Sequence, residues 1–242
     1  PFDPILAADA RTAEALTRLT GRPIEAVGNL KLAAKPPKAD EAALAALRAE
    51  LGARKVWLAA STHIGEERIL LEVHEKLRRR YPAALLILAV RHPERGLEVA
   101  ALAHQAPRRS QGQSIGDAPV YVLDTIGELS NYCAAAPVTL VAGSLQEGLT
   151  GHNPIEPAKL GSAILSGPHV DSFADLYEAL YAAGAAIRVD SPEEIEDSVL
   201  MLWRDEAARE RLVAAARAVA DAGAPALQTT LDALVARLNT SA

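Results

Sequence analysis

The sequence predicts an α/β fold, a Rossmann-like doubly wound parallel sheet, on two observations. Short apolar runs rich in valine, isoleucine and leucine alternate with longer amphipathic stretches, which indicates βαβ units. The runs are apolar at nearly every position, which is typical of parallel strands covered by helices on both faces. The runs lie at 5–8, 24–27, 56–60, 85–90, 120–123, 138–142, 163–165 and 185–189. The predicted helices between them include 66–80, 94–104, 127–136 and 173–183.

The composition narrows the class of protein. Half of the 242 residues are hydrophobic and only 4% are aromatic, which favours a core of small aliphatic side chains. The net charge of −6 argues against a nucleic-acid-binding surface, which is usually basic. Cys133 is the only cysteine, so an internal disulfide is excluded, and no Cys/His cluster has zinc-site spacing. No apolar stretch reaches the roughly 18–20 residues that span a bilayer, so we expect this chain to be soluble.

A polar, proline-containing stretch predicts two domains. Residues 1–33 are interpreted as the end of a preceding α/β domain, and residues 34–39, which contain the run K-P-P-K, as a linker. Residues 40–242 are predicted to form a nearly complete second domain, whose first helix is N-capped by Asp40. Because Pro1 stands close to a strand-like run, we expect the chain to be part of a longer protein.

Polar residues concentrate directly after five of the predicted strands. The carboxyl ends of parallel strands meet at one edge of a sheet, and open α/β sheets bind ligands there. We therefore expect one composite site. The segments are S-T-H-I-G-E-E at 61–67, R-H-P-E-R at 91–95, D-T-I-G-E-L at 124–129, the stretch from G-S at 143–144 to G-H-N-P-I-E-P at 151–157, and S-G-P-H at 166–169.

Several features of these segments favour a phosphate-containing nucleotide as the ligand. Segments that lead into helices present N-termini, which favour anions, and Arg91 adds a guanidinium that suits a phosphate. Asn153 followed by Pro154 is typical of a helix start, and Glu156 in the first turn can accept hydrogen bonds from a ribose diol. The sequence contains no G-x-G-x-x-G fingerprint, no P-loop and no D-x-D pair, so we expect neither a dinucleotide cofactor nor a bound metal.

In this order and at this spacing, the segments resemble the 3-deoxy-D-manno-octulosonic acid (Kdo) transferases of lipid A assembly. The resemblance runs from about Ile5 to the C-terminus. It implies the C-terminal, CMP-Kdo-binding half of a GT-B glycosyltransferase. It also implies inverting, metal-independent transfer of Kdo to the lipid A precursor lipid IVA. This step belongs to lipopolysaccharide biosynthesis at the cytoplasmic face of the bacterial inner membrane.

The resemblance also assigns donor-binding residues. Arg91 should face the phosphate, the backbone of 126–128 should hold the cytosine, and Glu156 should bind the ribose. Val90 stands where the family usually has proline, and Thr150 where it usually has glycine. The positions carried over are Val90, Arg91, Ile126, Gly127, Glu128, Asn153, Pro154, Ile155 and Glu156.

The family's general base is a glutamate of the N-terminal domain, so no catalytic residue is expected in this chain. We therefore expect the chain to bind the donor without catalysing the transfer alone. The lipid acceptor and the membrane should be contacted by the N-terminal part of the protein.

Further polar residues of these segments are candidates whose roles the sequence leaves open. Ser61 and Thr62 either cap the next helix or contact the donor, and the histidines are either structural or part of the site. His169 either shapes a turn or reaches the sugar carboxylate. These candidates are Ser61, Thr62, His63, His92, Ser144, His152 and His169. Two other functions stay open, namely a GT-B enzyme that uses a UDP-sugar and a non-catalytic nucleotide-binding domain.

Overall fold

The computed structural model describes residues 4–8, 10–28, 39–222 and 224–240. The strands are β1 Leu6–Ala7, β2 Glu25–Ala26, β3 Val56–Thr62, β4 Leu85–Val90, β5 Val120–Leu123, β6 Val138–Val141, β7 Ala163–Ser166 and β8 Ala186–Arg188. The helices are α1 Ala10–Thr20, α2 Glu41–Leu51, α3 Glu66–Arg80, α4 Gly96–Leu102, α5 Leu129–Ala135, α6 Ile155–Leu160, α7 Ala174–Ala182, α8 Pro192–Arg204, α9 Glu206–Asp221 and α10 Ala224–Thr240. Strands and helices alternate as the sequence predicts.

The chain divides into two compact units, one formed by Pro1–Lys35 with Ala218–Ala242 and the other by Pro36–Arg217. The predicted second domain extends to residue 242, whereas contacts in space group the residues from Ala218 onward with the first unit. Apart from Ala39, the predicted linker at 34–39 lies outside the described residues. The functional assignment of the two domains stays a prediction.

The described part of the first unit contains a small βαβ arrangement. Strands β1 and β2 pair in parallel, with Leu6 opposite Glu25 and Ala7 opposite Ala26, and α1 connects them. Such a connection is typical of α/β domains. The interpretation of residues 1–33 as the end of a preceding α/β domain stays a prediction.

The second unit is built on a six-stranded sheet in the order β5-β4-β3-β6-β7-β8, and each strand runs parallel to its neighbours. The chain first builds outward from β3 through β4 to β5, and then returns to the other side of β3 with β6. The strand order therefore reverses between β3 and β6. In doubly wound sheets, this switch point is where ligands bind, beyond the carboxyl ends of the two strands. The predicted fold class is confirmed.

Successive side chains of each strand point to opposite sides of the sheet, and both sides are buried in hydrophobic clusters. Trp57 packs on one face with Leu70 and Val73 of α3, whereas Leu58 packs on the other face in the cluster that includes Leu47 of α2. Burial on two faces explains why the strands read as continuous apolar runs.

His74 of α3 is a polar group inside this core, with 2% of its surface exposed. The Trp57 indole Nε1–H donates to His74 Nδ1 over 3.1 Å, so the second ring nitrogen must carry the proton. That Nε2–H donates to the Pro119 carbonyl over 2.8 Å. Burial lowers the pKa of His74 to about 4, so the ring is neutral at pH 7.

Acidification from about pH 7.5 to about pH 5 should lower the free energy of unfolding by about 2 kcal/mol through His74 alone. The folded pKa lies below the ordinary 6.5. The unfolded chain therefore binds more protons in this window, and stability falls as the pH drops. Urea unfolding of the wild type and His74→Gln at both pH values measures the effect. Glutamine keeps an acceptor for Trp57 and a donor for Pro119 without titrating. The same pH-dependent loss in both proteins would contradict the prediction.

Candidate functional site

Three loops of the second unit meet beyond the carboxyl ends of β3, β4 and β6. The Nε2 atoms of His63 and His152 lie 2.8 Å apart, and their rings stack with centroids 5.0 Å apart at 12°. The ring of His92 meets that of His63 edge to face, with centroids 5.8 Å apart. Three of the predicted site histidines are thus brought into one cluster at the switch point of the sheet.

The stacked rings of His63 and His152 are held in a neutral state by their surroundings. Burial is the main reason why the pKa of His152 is lowered to about 4, and the neighbouring His63, Arg91 and His92 lower it further. Burial also lowers the pKa of His63, against the opposing effect of Glu66. Because two neutral rings share one Nε2···Nε2 contact, one ring donates and the other accepts. The pair therefore links two loops without adding charge.

Arg91 stands beside this cluster with its side chain exposed. Its backbone N–H donates to the Thr62 carbonyl over 3.0 Å, which fixes the start of the loop to β3, while the preceding Val90 is buried. Within the described ranges, no carboxylate lies within ion-pair distance of Arg91. By contrast, Arg108 pairs with the buried Asp124 at 2.8 Å. Arg91 is therefore available to an external anion.

Ser61 and Thr62 do not cap the helix that follows them. α3 is preceded by Gly65 and has no side-chain cap. Ser61 has φ of 64°, in the left-handed region, and the register of β3 shifts between Ala60 and Thr62. Thr62 is buried, and its Oγ1 has no hydrogen-bond partner in the described part of the chain. Backbone strain at the end of a strand is a feature that clusters at functional sites.

Glu66 is a buried residue that lies in the predicted segment 61–67 but is not among the candidate residues named from the sequence. Its Oε2 accepts hydrogen bonds from the backbone N–H groups of His63 at 2.9 Å and Gly143 at 2.8 Å. Its Oε1 accepts from Ser144 and Leu145, each at 3.0 Å. A glutamate at the start of a helix is common because it interacts favourably with the helix dipole, so its position alone does not indicate a further role. We give the name Glu66 clamp to Glu66 and the four backbone N–H groups that it accepts from. Predicting this clamp requires knowing that β3 and β6 are neighbours in the sheet.

Ser144 connects the loops after β6 and β7 from inside the protein. Its hydroxyl donates to the Val141 carbonyl at 2.7 Å and accepts from the Gly167 N–H at 2.8 Å. The Ser144 carbonyl accepts from the His169 N–H at 3.0 Å. Ser144 is fully buried, whereas His169 is partly exposed. The structure thus gives Ser144 a scaffolding position and leaves His169 partly exposed.

The segment 126–128 follows β5 as a tight turn. Ile126 is 86% exposed, and Gly127 has φ of 87°, which favours glycine. The Glu128 carboxylate accepts hydrogen bonds from Arg109 and from the Thr125 hydroxyl. The hydrogen bond from Arg109 lowers the pKa of Glu128. Since that carboxylate is engaged, the turn offers its backbone and the Ile126 side chain to a ligand.

The segment 153–156 leads into α6. The Asn153 side chain accepts a hydrogen bond from the Ile155 N–H at 3.0 Å, and the helix begins at Ile155, one residue later than predicted. Pro154 and Ile155 are buried, which anchors the turn. The Glu156 carboxylate accepts a hydrogen bond from the Ser130 hydroxyl of α5. This bond ties the segment to the helix that follows the 126–128 turn.

Two kinds of feature are absent from the described residues. No group of three or more His, Cys, Asp or Glu side chains in those ranges is arranged to hold a metal ion. Likewise, none of the helices in the described ranges combines the length and the apolar character needed to cross a membrane.

Comparison with known proteins identifies relatives of this chain, although no protein-family model matches it. It is 38% identical over 190 residues to the 3-deoxy-D-manno-octulosonic acid transferase of Bordetella pertussis, covering 75% of this chain and 44% of that protein. It is 35% identical over 187 residues to the enzyme of the same name from Haemophilus influenzae, with the same coverage. The match thus spans less than half the length of these two curated relatives.

A solved structure of a single domain matches this chain along almost the whole length of that domain. The C-terminal CMP-Kdo binding domain of WaaA from Acinetobacter baumannii is 32% identical and superposes with a TM-score of 0.69. The match covers 74% of this chain and 98% of that domain. The parallel sheet is that of the C-terminal half of a GT-B glycosyltransferase. The identity, the coverage of a whole domain and the shared fold together place this chain in the 3-deoxy-D-manno-octulosonic acid transferase family.

Proposed function

We propose that this chain is the donor-binding part of a Kdo transferase and that it binds CMP-Kdo beyond the carboxyl ends of β3 to β6. The observation that carries the proposal is Arg91, an exposed guanidinium without a carboxylate partner among the described residues, beside the histidine pair at the switch point. The matched Acinetobacter domain, which is named for CMP-Kdo binding, supports the same donor.

Each proposed contact is assigned to one of the segments that lie beyond the carboxyl ends of the strands. Arg91 binds the phosphate through its planar guanidinium, which matches phosphate oxygens in a two-pronged contact. The backbone of the 126–128 turn hydrogen-bonds to the edge of the cytosine. Glu156 accepts from the ribose hydroxyls, and Ser130 orients its carboxylate for that task.

The proposed reaction is inverting, metal-independent transfer of Kdo from CMP-Kdo to lipid IVA in lipopolysaccharide biosynthesis. When the bond to the sugar breaks, negative charge grows on the CMP phosphate, and Arg91 stabilises that charge. The general base, the acceptor site and the contact with the inner membrane belong to the N-terminal part of the protein. This chain accordingly binds the donor without catalysing transfer alone.

The 242-residue chain should bind CMP at least about tenfold more tightly than UMP or UDP. Cytosine presents an amino donor where uracil presents a carbonyl acceptor, so a backbone turn that matches one base leaves an unpaired polar group opposite the other. Titration calorimetry with the three nucleotides measures the difference. Cytidine serves as the control for the phosphate and should bind more weakly than CMP. A preference for UDP, or no binding of CMP, would overturn the proposed donor.

A further inference from the structure

The loop after β6 contains a ready-made anion site that the protein fills itself. Successive backbone N–H groups that converge on one point form a concavity that binds anions. In this chain, the N–H groups of Gly143, Ser144 and Leu145 converge on the carboxylate of Glu66. Glu66 is fully buried, so an external phosphate does not reach these amides. The protein's own anion occupies the concavity.

Glu66 connects to the donor-binding segment by two routes. It accepts from the His63 N–H, and the His63 ring contacts the His152 ring at 2.8 Å. It also holds Gly143, whose carbonyl accepts from the Gly151 N–H at 2.8 Å. Both routes end at the two residues that directly precede segment 153–156. A shift of the Glu66 clamp is therefore passed on to that segment.

Close packing makes this transmission direct. A Cβ atom placed on Gly143 would lie 2.6 Å from the His152 ring, so the loop backbone and the ring are in tight contact. The Tyr177 hydroxyl donates to the His152 carbonyl at 3.0 Å and fixes the backbone of that residue. With no free space between the loop and the ring, displacement of the loop moves His152.

We infer that Glu66 is a positioning residue for donor binding: as an internal anion it joins the loops after β3 and β6 and thereby places segment 153–156. This inference rests on the proposed function. The Glu66 carboxylate already accepts the hydrogen bonds of the N–H groups of Gly143, Ser144 and Leu145. The donor's phosphate is therefore bound by the guanidinium of Arg91 rather than by backbone N–H groups of this loop.

Glu66→Ala tests the inference by chemical rescue. The change removes the volume of one acetate ion and leaves the amides without an acceptor, so CMP binding should weaken by about tenfold or more. Added acetate should restore most of the affinity. Acetamide has a similar size but carries no charge and only one acceptor oxygen, so it should not. Equal effects of acetate and acetamide would overturn the inference.

Glu66→Gln keeps the side-chain shape if the alanine variant fails to fold. It should weaken CMP binding by about tenfold, because an amide NH2 faces backbone donors. Val199→Ala, a core change in α8, is the stability-matched control; it should lower the melting temperature without changing the dissociation constant for CMP. Hydrogen exchange should show amides 143–145 protected in the wild type and exchanging faster in Glu66→Gln.

The outcomes separate the inference from the proposed function. If the wild type does not bind CMP, the proposed function fails, and a role in donor binding fails with it. If the wild type binds CMP and both Glu66 variants bind it equally well, only the positioning role is overturned. Fast exchange of amides 143–145 in the wild type would also overturn it, without any ligand.

Discussion

Replacing Arg91 by alanine should weaken CMP binding by about 1.5–3 kcal/mol, the range measured for hydrogen bonds to charged groups. The Arg91 side chain is exposed, and no carboxylate competes for it within the described residues. Binding a phosphate therefore does not require breaking an ion pair. The loop itself is fixed by the hydrogen bond from the Arg91 N–H to Thr62, which alanine retains. The loss should appear in affinity rather than in folding.

Two companion variants make this prediction specific. Arg80→Ala removes an exposed arginine from the end of α3, at the opposite edge of the sheet, and should leave the dissociation constant for CMP unchanged. Arg91→Lys keeps the charge but loses the planar two-pronged contact, so its affinity should lie between those of the wild type and Arg91→Ala. Calorimetry with CMP measures all three. An unchanged dissociation constant for Arg91→Ala would remove Arg91 from the site.

Most of the sheet was predictable because its strands are buried on both faces. The apolar runs at 85–90 and 120–123 coincide with β4 and β5. The run at 56–60 was predicted too short, since β3 continues through Ser61 and Thr62. Those two polar residues end the hydrophobic signal, yet the strand bulges there and keeps pairing with β4. Polarity marked the end of the apolar run rather than the end of the strand, and Thr62 is still buried.

The site was predictable as a set of loops but not as a set of contacts. The sequence indicated that polar segments gather at one edge, and the structure brings His63 together with His152, which lies 89 positions away. Nothing in the local sequence around Glu66 indicates that its carboxylate accepts from a loop beyond β6. Such contacts depend on which strands are neighbours. Strand order in turn follows from the whole chain rather than from any one segment.

Gly167→Ala should lower the free energy of unfolding by about 3 kcal/mol or more, at the upper end of the usual cost of overpacking. An added Cβ would lie 2.1 Å from the Ser144 carbonyl oxygen and 2.5 Å from its carbonyl carbon. These are backbone atoms, so no side-chain rotation relieves the contact. Ser144 is in turn held by Glu66, and the loops after β6 and β7 must separate. CMP binding should weaken together with stability.

Gly184→Ala is the control for this experiment, because it measures the cost of backbone strain without a steric contact. Gly184 has φ of 60° and no atoms within 4 Å of an added Cβ, so alanine there costs only the left-handed conformation, about 1–2 kcal/mol. Urea unfolding of both variants compares the two costs, and calorimetry with CMP shows which one reaches the site. If Gly167→Ala is as stable as Gly184→Ala, the loops are free to move apart. The close packing that joins Ser144 to Gly167 would then not be what holds this edge of the sheet in place.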